Sequence, residues 1–177
     1  TQPGRKTEQQ LDKQLEDSFP ASDPPSTSPV VAVGEPSAGE STGKGKKVEY
    51  GFALSSEEHP PLELVRQAQL AEQAGFSFVT ISDHFHPWTS SQGNSPFVWG
   101  VLGGIAVSTS RIRVGTGVTC PIIRTHPAII AQASATAALM FEGRFFLGLG
   151  TGEALNAHIT GEPWPTPATR LEMLEEA

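Results

Sequence analysis

The sequence predicts an α/β protein built on a parallel sheet, and three observations carry that expectation. From about Lys47 onward, short apolar segments rich in β-branched and aromatic residues alternate with longer segments of helical spacing, the pattern of βαβα units. The short segments are almost continuously apolar, as strands covered by helices are. The turns between them are short, with proline at helix starts and glycine at helix stops. Such a chain forms either a doubly wound sheet or part of a (β/α)8 barrel.

Element by element, VEYGFAL (Val48–Leu54) is the first strand. PPLELVRQAQLAEQAG (Pro60–Gly75) is the first helix, opened by proline and stopped by glycine, with Leu64, Ala68 and Ala71 on one face. FVTI (Phe78–Ile81) is the second strand. Val98–Ser108 is the second helix, although Gly100, Gly103 and Gly104 each lower its propensity. Ile112–Val118 is the third strand, Pro127–Met140 the third helix, and Arg144–Leu149 the fourth strand. Ala168–Ala177 begins a further helix, and RLEMLEEA carries no stop signal before Ala177. A closed barrel takes about 250 residues and eight strands. If the fold is a barrel, this chain is expected to hold its first half, with open sheet edges.

Residues 1–47 differ in texture. They are rich in Pro, Ser, Gly and charge, with VVAV (Val30–Val33) as one compact apolar patch, and they read as a disordered tail. Within it, Leu11, Leu15 and Phe19 fall at i, i+4, i+8, so a short amphipathic helix over 8–19 is expected, either docking to a partner or weakly formed. GEPSAGESTGKGKK reads as a linker to the folded part, 48–177.

Composition excludes several functions. A formal net charge of -7 argues against a surface that tracks nucleic-acid phosphates. There is no apolar run of about 18 residues to span a membrane, and no secretory h-region. One cysteine, Cys120, excludes an internal disulfide and fits a reducing compartment, so a cytoplasmic location is the simplest expectation.

In parallel α/β folds ligands sit beyond the carboxyl ends of the strands. Three polar stretches fall there: SDHFHPW after the second strand, TGVTCP closing the third, and GTGEALN after the fourth. In the first, Asp83, His84, His86 and Trp88 crowd together, and His84 is the best candidate base because histidine exchanges protons near neutral pH. The bland alternative is that Asp83 caps a turn and both histidines are solvated. A zinc site on His84 and His86 needs a third ligand that spacing does not supply, so no metal is expected. In GTGEALN, Thr151 is placed to cap a helix, Gly152 to let backbone amides approach a ligand, and Glu153 to answer the helix dipole. The glycine spacing matches neither dinucleotide nor P-loop fingerprints. Gly117 suggests a bulge or a flat ligand, and Cys120 reads as packing, since no basic neighbour would make a thiolate.

Taken together, SDHFHPW, GTGVTCPIIRTHPAIIAQ and GRFFLGLGTGEALNAHITGEPWP resemble the luciferase-like flavin and deazaflavin oxidoreductases, nearest the group of F420-dependent glucose-6-phosphate dehydrogenases. The resemblance covers about Val48–Ala177. It implies a luciferase-like (β/α)8 TIM barrel, here its first four βα units, with coenzyme F420 at the mouth and hydride passing between a substrate carbon and ring C5. It further implies His84 as the base taking the hydroxyl proton, Trp88 lining the pocket and steadying charge, and Glu153 as proton donor or electrostatic partner. Asp83, Cys120 and Asn156 would contact the cofactor beside Thr151 and Gly152, and Gly117 with Val118 would form the strained bulge that backs the ring. Gly117 stands where the glucose-6-phosphate enzymes carry serine, and Cys120 where they carry threonine. The implied substrate is a hydroxylated small molecule, with a homodimer typical of the relatives. Two other readings stay open: an FMN-dependent monooxygenase on the same fold, and a non-catalytic fragment or interaction protein.

Overall fold

The computed structural model describes residues 48–177. The tail helix expected over 8–19 and the linker lie outside the described residues. Four parallel strands, β1 (Gly51–Leu54), β2 (Phe78–Ile81), β3 (Arg113–Thr116) and β4 (Phe145–Phe146), form one sheet in the order β1-β2-β3-β4. Three helices cross between them: α1 (Pro61–Ala74), α2 (Val98–Ser108) and α3 (Pro127–Phe141). A short α4 (Ala154–Ala157), a 3-10 turn (His158–Thr160) and α5 (Pro167–Glu176) follow.

The strands are shorter than their apolar runs. Ile112 is buried and Leu149 forms only an isolated bridge to Thr119, so hydrophobic character extends past the ladder while pairing stops. Helix ends fall close to their signals. Gly75 ends α1 in a left-handed conformation at φ 87°, and its N–H satisfies the carbonyls of Ala71 and Glu72.

Register decides between the two architectures left open by the sequence. Phe78 pairs with Gly51 and Arg113, and Gly115 with Thr80 and Phe146, so these residues share one face. The opposite face carries Leu54, Val79, Ile81, Val114 and Leu147, all buried with Leu64, Ala68, Leu102, Ile105 and Phe141 of the helices. Helices therefore cover one face alone, and neighbours follow chain order without a reversal. That is a barrel segment, not a doubly wound sheet.

The face turned toward the barrel axis is built for close packing. A Cβ on Gly115 would lie 2.3 Å from the carbonyl oxygen of Phe146, and one on Gly51 2.2 Å from the Phe78 ring. Glycine on alternate strands thus makes room for two phenylalanines, whose rings meet edge-on at 6.2 Å. The α2 glycines have a similar explanation at one position. Gly104 lets α2 approach Val65 of α1, where a Cβ would stand 2.9 Å from the valine methyl, whereas nothing lies within 4 Å of a Cβ on Gly100.

The two environments predict opposite outcomes for the same change. G115A should destabilise by about 1–3 kcal/mol through overpacking. G100A should stabilise by roughly 0.5–1 kcal/mol, as alanine does in a helix interior. Denaturant unfolding of both variants checks this; a shift of the same sign in the two would refute the packing assigned to Gly115.

Candidate functional site

All four strands end on the same side, so the loops after β1, β2, β3 and β4 meet there. The last three enclose a cavity of about 250 Å³ lined by Asp83, His84, Val118, Cys120, Arg124, Gly150, Thr151, Gly152, Glu153, Asn156 and Ala157. The three stretches singled out in the sequence converge here, joined by a fourth that was missed, Ser55–Ser56–Glu57 after β1.

His84 sits at the centre. Its Nδ1 is 2.5 Å from Oε1 of Glu57 and its Nε2 is 3.5 Å from Oε1 of Glu153. The Glu57 approach is oblique to the ring N–H, so it is an ion pair rather than an aligned hydrogen bond. Trp88 packs edge-on to the imidazole at 5.0 Å. The reading in which both histidines are solvated fails for His84, whose side chain is 16% exposed, and holds for His86, which is exposed beside Phe85.

Glu57 is buried and well supported. Its carboxylate accepts from Ser55 (2.9 Å), Ser56 (3.1 Å) and Ser82 (3.0 Å), and Ser56 also bonds the Ser82 carbonyl at 2.8 Å. Burial alone would raise its pKa. The close His84 contact and the hydrogen bonds from its own backbone, Ser82 and Ser55 outweigh that and hold it down at about 2. For His84 burial opposes the charged form, but the Glu57 contact and the charges of Glu153, Glu57 and Asp83 prevail and raise its pKa.

The remaining candidates divide by what they touch. Asp83 does not cap a turn: its Oδ2 accepts from Thr119 and its Oδ1 from Arg124, each at 2.8 Å. Asn156 accepts at Oδ1 from the N–H of Phe85 (2.5 Å) and of His86 (2.8 Å), and its amide donates to Glu153. That residue therefore ties the histidine loop to the turn after β4. The expected cap at Thr151 is absent; Glu153 is the N-cap of α4 and makes no side-chain cap bond, because the turn through Gly152 at φ 72° starts the helix two residues later. Gly152 is also a close approach, since a Cβ there would lie 2.5 Å from Cys120 Sγ. The Gly117–Val118 peptide bond is cis, and Val118 is 45% exposed at the mouth. Gly117 is exposed beside it and does not line the cavity. Burial raises the Cys120 thiol above its ordinary pKa, which disfavours a thiolate nucleophile. Among the described residues, no group of three or more His, Cys, Asp or Glu is arranged to hold a metal ion, and no helix is long and apolar enough to cross a membrane.

Two contributors escaped the sequence reading. Glu57 lies in SSEE, which reads as an ordinary polar turn, and only its position at a strand's carboxyl end marked it. Arg124 lies within the quoted IIRTHP stretch, with nothing in the spacing to say which loop it reaches.

The electrostatics give the Glu57–His84 pair a defined pH window. A carboxylate held at about 2 instead of 4.5 stabilises the fold above about pH 4.5, a contribution lost as pH falls toward 2. A histidine with raised pKa stabilises below its ordinary 6.5, a contribution lost as pH rises through the higher folded value. E57Q should therefore cost most between about pH 4.5 and 6.5, on the order of 3 kcal/mol. Unfolding midpoints of wild type and E57Q across pH check it; a pH-independent gap would contradict the pairing.

Comparison with known proteins places this arrangement. Residues 40–177 match the family described as luciferase-like monooxygenase. An F420-dependent glucose-6-phosphate dehydrogenase of Segniliparus rotundus is 44% identical over 131 residues, 73% of this chain and 39% of that protein. An F420-dependent hydroxymycolic acid dehydrogenase of Mycobacterium tuberculosis is 49% identical over 127 residues, 72% of this chain and 35% of that protein. The solved F420-dependent secondary alcohol dehydrogenase in complex with an F420-acetone adduct superposes with a TM-score of 0.71 at 39% identity, covering 74% of this chain and 40% of that one. The chain thus spans about two-fifths of the length of the relatives it matches. With its four parallel βα units and its match across residues 40–177, the chain belongs to the luciferase-like family and carries part of that family's TIM barrel.

Proposed function

We propose that the protein is an F420-dependent oxidoreductase that transfers a hydride between a hydroxylated small molecule and the deazaflavin, with His84 as the proton-transfer group. The observation that carries this reading is the imidazole held between a buried carboxylate on one nitrogen and the open cavity on the other. Two relatives named for different substrates, and a solved secondary alcohol dehydrogenase, match this same segment. What their names share is F420, so the segment is suited to the cofactor more than to any one alcohol.

The residues present fit such a group. The exposed Val118 side chain offers an apolar surface at the mouth, and His84 and Glu153 bring polar atoms to the same cavity. When bound, F420 supplies the carbon that accepts or returns the hydride. The protein does the rest. Ionised Glu57 keeps the imidazole proton on Nδ1, which leaves Nε2 as the lone pair that takes the carbinol proton. The resulting imidazolium lies between two carboxylates, so its formation is stabilised where the reaction needs it. Trp88 limits the ring's rotation, and Glu153 offers a second site for the proton next to Nε2. Asp83 and Asn156 act here mainly by fixing the loops, since their side-chain oxygens already accept protein hydrogen bonds.

Titration of the full-length protein with F420 tests the reading: binding at micromolar concentration with a fluorescence change is expected. Silence toward F420 in a protein that purifies yellow with FMN would replace it by the flavin monooxygenase reading. For turnover, alcohol oxidation should rise with pH through the raised pKa of His84, because the base must be neutral. H84Q should lower kcat by roughly 10²- to 10⁴-fold while leaving F420 binding in place.

A further inference from the structure

The β3–α3 loop brings one guanidinium to the cavity, and it is bonded to the histidine loop rather than to its own. Nη2 of Arg124 donates to the main-chain carbonyl of Asp83 at 2.9 Å and to its Oδ1 at 2.8 Å. Both side chains are largely removed from water, at 13% and 6% exposure. The carbonyl matters most. It belongs to the planar peptide unit that joins Asp83 to His84, so holding it holds the plane from which the imidazole is carried. The next plane is pinned too: Ser95 Oγ donates to the His84 carbonyl at 2.6 Å, and the Phe85 N–H of the same unit donates to Asn156. Of the bonds that fix the backbone on either side of His84, only the one from Arg124 also carries charge.

That charge has a defined neighbourhood. Facing the imidazole are Glu57 from the β1–α1 loop, Asp83 from its own loop and Glu153 from the turn after β4, while the Cys120 thiol and Arg124 line the same cavity from the β3–α3 loop. Three carboxylates are thus set against one permanent cation, and the cation is paired with Asp83.

We propose that Arg124 is a positioning residue for His84: its guanidinium holds the peptide plane that carries the imidazole and offsets the charge of Asp83 beside it. This rests on the reading of His84 as the proton-transfer group. Without the guanidinium, Asp83 would act on the ring uncompensated and favour imidazolium further. Lysine would keep the charge and lose the planar fork, separating the two parts of the role.

The test is an NMR titration of His84 in the labelled full-length protein, without cofactor, with H84Q assigning the resonance. R124Q should shift the His84 titration to higher pH, and D83N/R124Q should return it toward wild type. R124K should leave the titration near wild type while lowering kcat severalfold. In turnover, R124Q should lose roughly tenfold in alcohol oxidation near neutral pH and recover, as pH rises, only to the severalfold deficit of R124K. Identical His84 titrations in wild type and folded R124Q would overturn the proposal, as would full kcat in R124K should R124Q fail to fold. A wild-type protein that ignores F420 would sink the proposed function, yet the His84 titration would still decide the part assigned to Arg124.

Discussion

The site depends on the common direction of four strands. Parallel pairing in sequential order forces every strand's carboxyl end to one side, and with it Glu57, His84, Arg124 and Glu153, which are far apart in the chain. No two of them share a secondary-structure element. A register slip of one residue in β2 would exchange buried Val79 and Ile81 for Phe78 and Thr80, and would turn the histidine loop away from the other three. The apolar core under the helices therefore enforces the register, and the register aligns the chemistry.

Direction alone does not fix a side chain, and here the loops are knitted to one another. Ser56 and Ser82 join the first two loops, Asp83 is held by Thr119 and Arg124 of the third, and Asn156 fastens the fourth to the backbone of Phe85 and His86. Each loop is thus bonded to the histidine loop by groups that are at least partly buried. Partly buried polar bonds of this kind carry a large penalty when broken, which makes the constellation stiff on loops that would otherwise be mobile.

Much of the fold was legible because burial leaves a period in the sequence. Leu64, Ala68 and Ala71 face the core as their spacing required, and proline and glycine marked the ends of α1. The glycines of α2 looked like weakness because the reason for Gly104, the methyl of Val65, lies on another helix. The same limit governed the site. His84, Trp88 and Glu153 stood out because they sit in motifs whose order along the chain carries the family resemblance. Glu57 and Arg124 are common residues in polar turns, and their significance is a contact across 27 and 41 positions of chain that local spacing does not encode. Thr151 misled for a complementary reason: its type suits a cap, but the positive φ of Gly152 delays the helix.

The two carboxylates beside His84 sit in different environments. Glu57, buried and held at a pKa of about 2, stays ionised throughout the range in which the imidazole titrates. It is a fixed charge that raises the proton affinity of the imidazole without exchanging protons itself. Glu153 is 24% exposed, stands 3.5 Å from the opposite nitrogen and lines the cavity, so it is in contact with both the ring and solvent. Glu57 thus meets one ring nitrogen from within the fold, and Glu153 stands near the other at the edge of the cavity. The surroundings of the imidazole are therefore asymmetric: one nitrogen faces a buried, ionised carboxylate and the other a partly exposed one that lines the cavity.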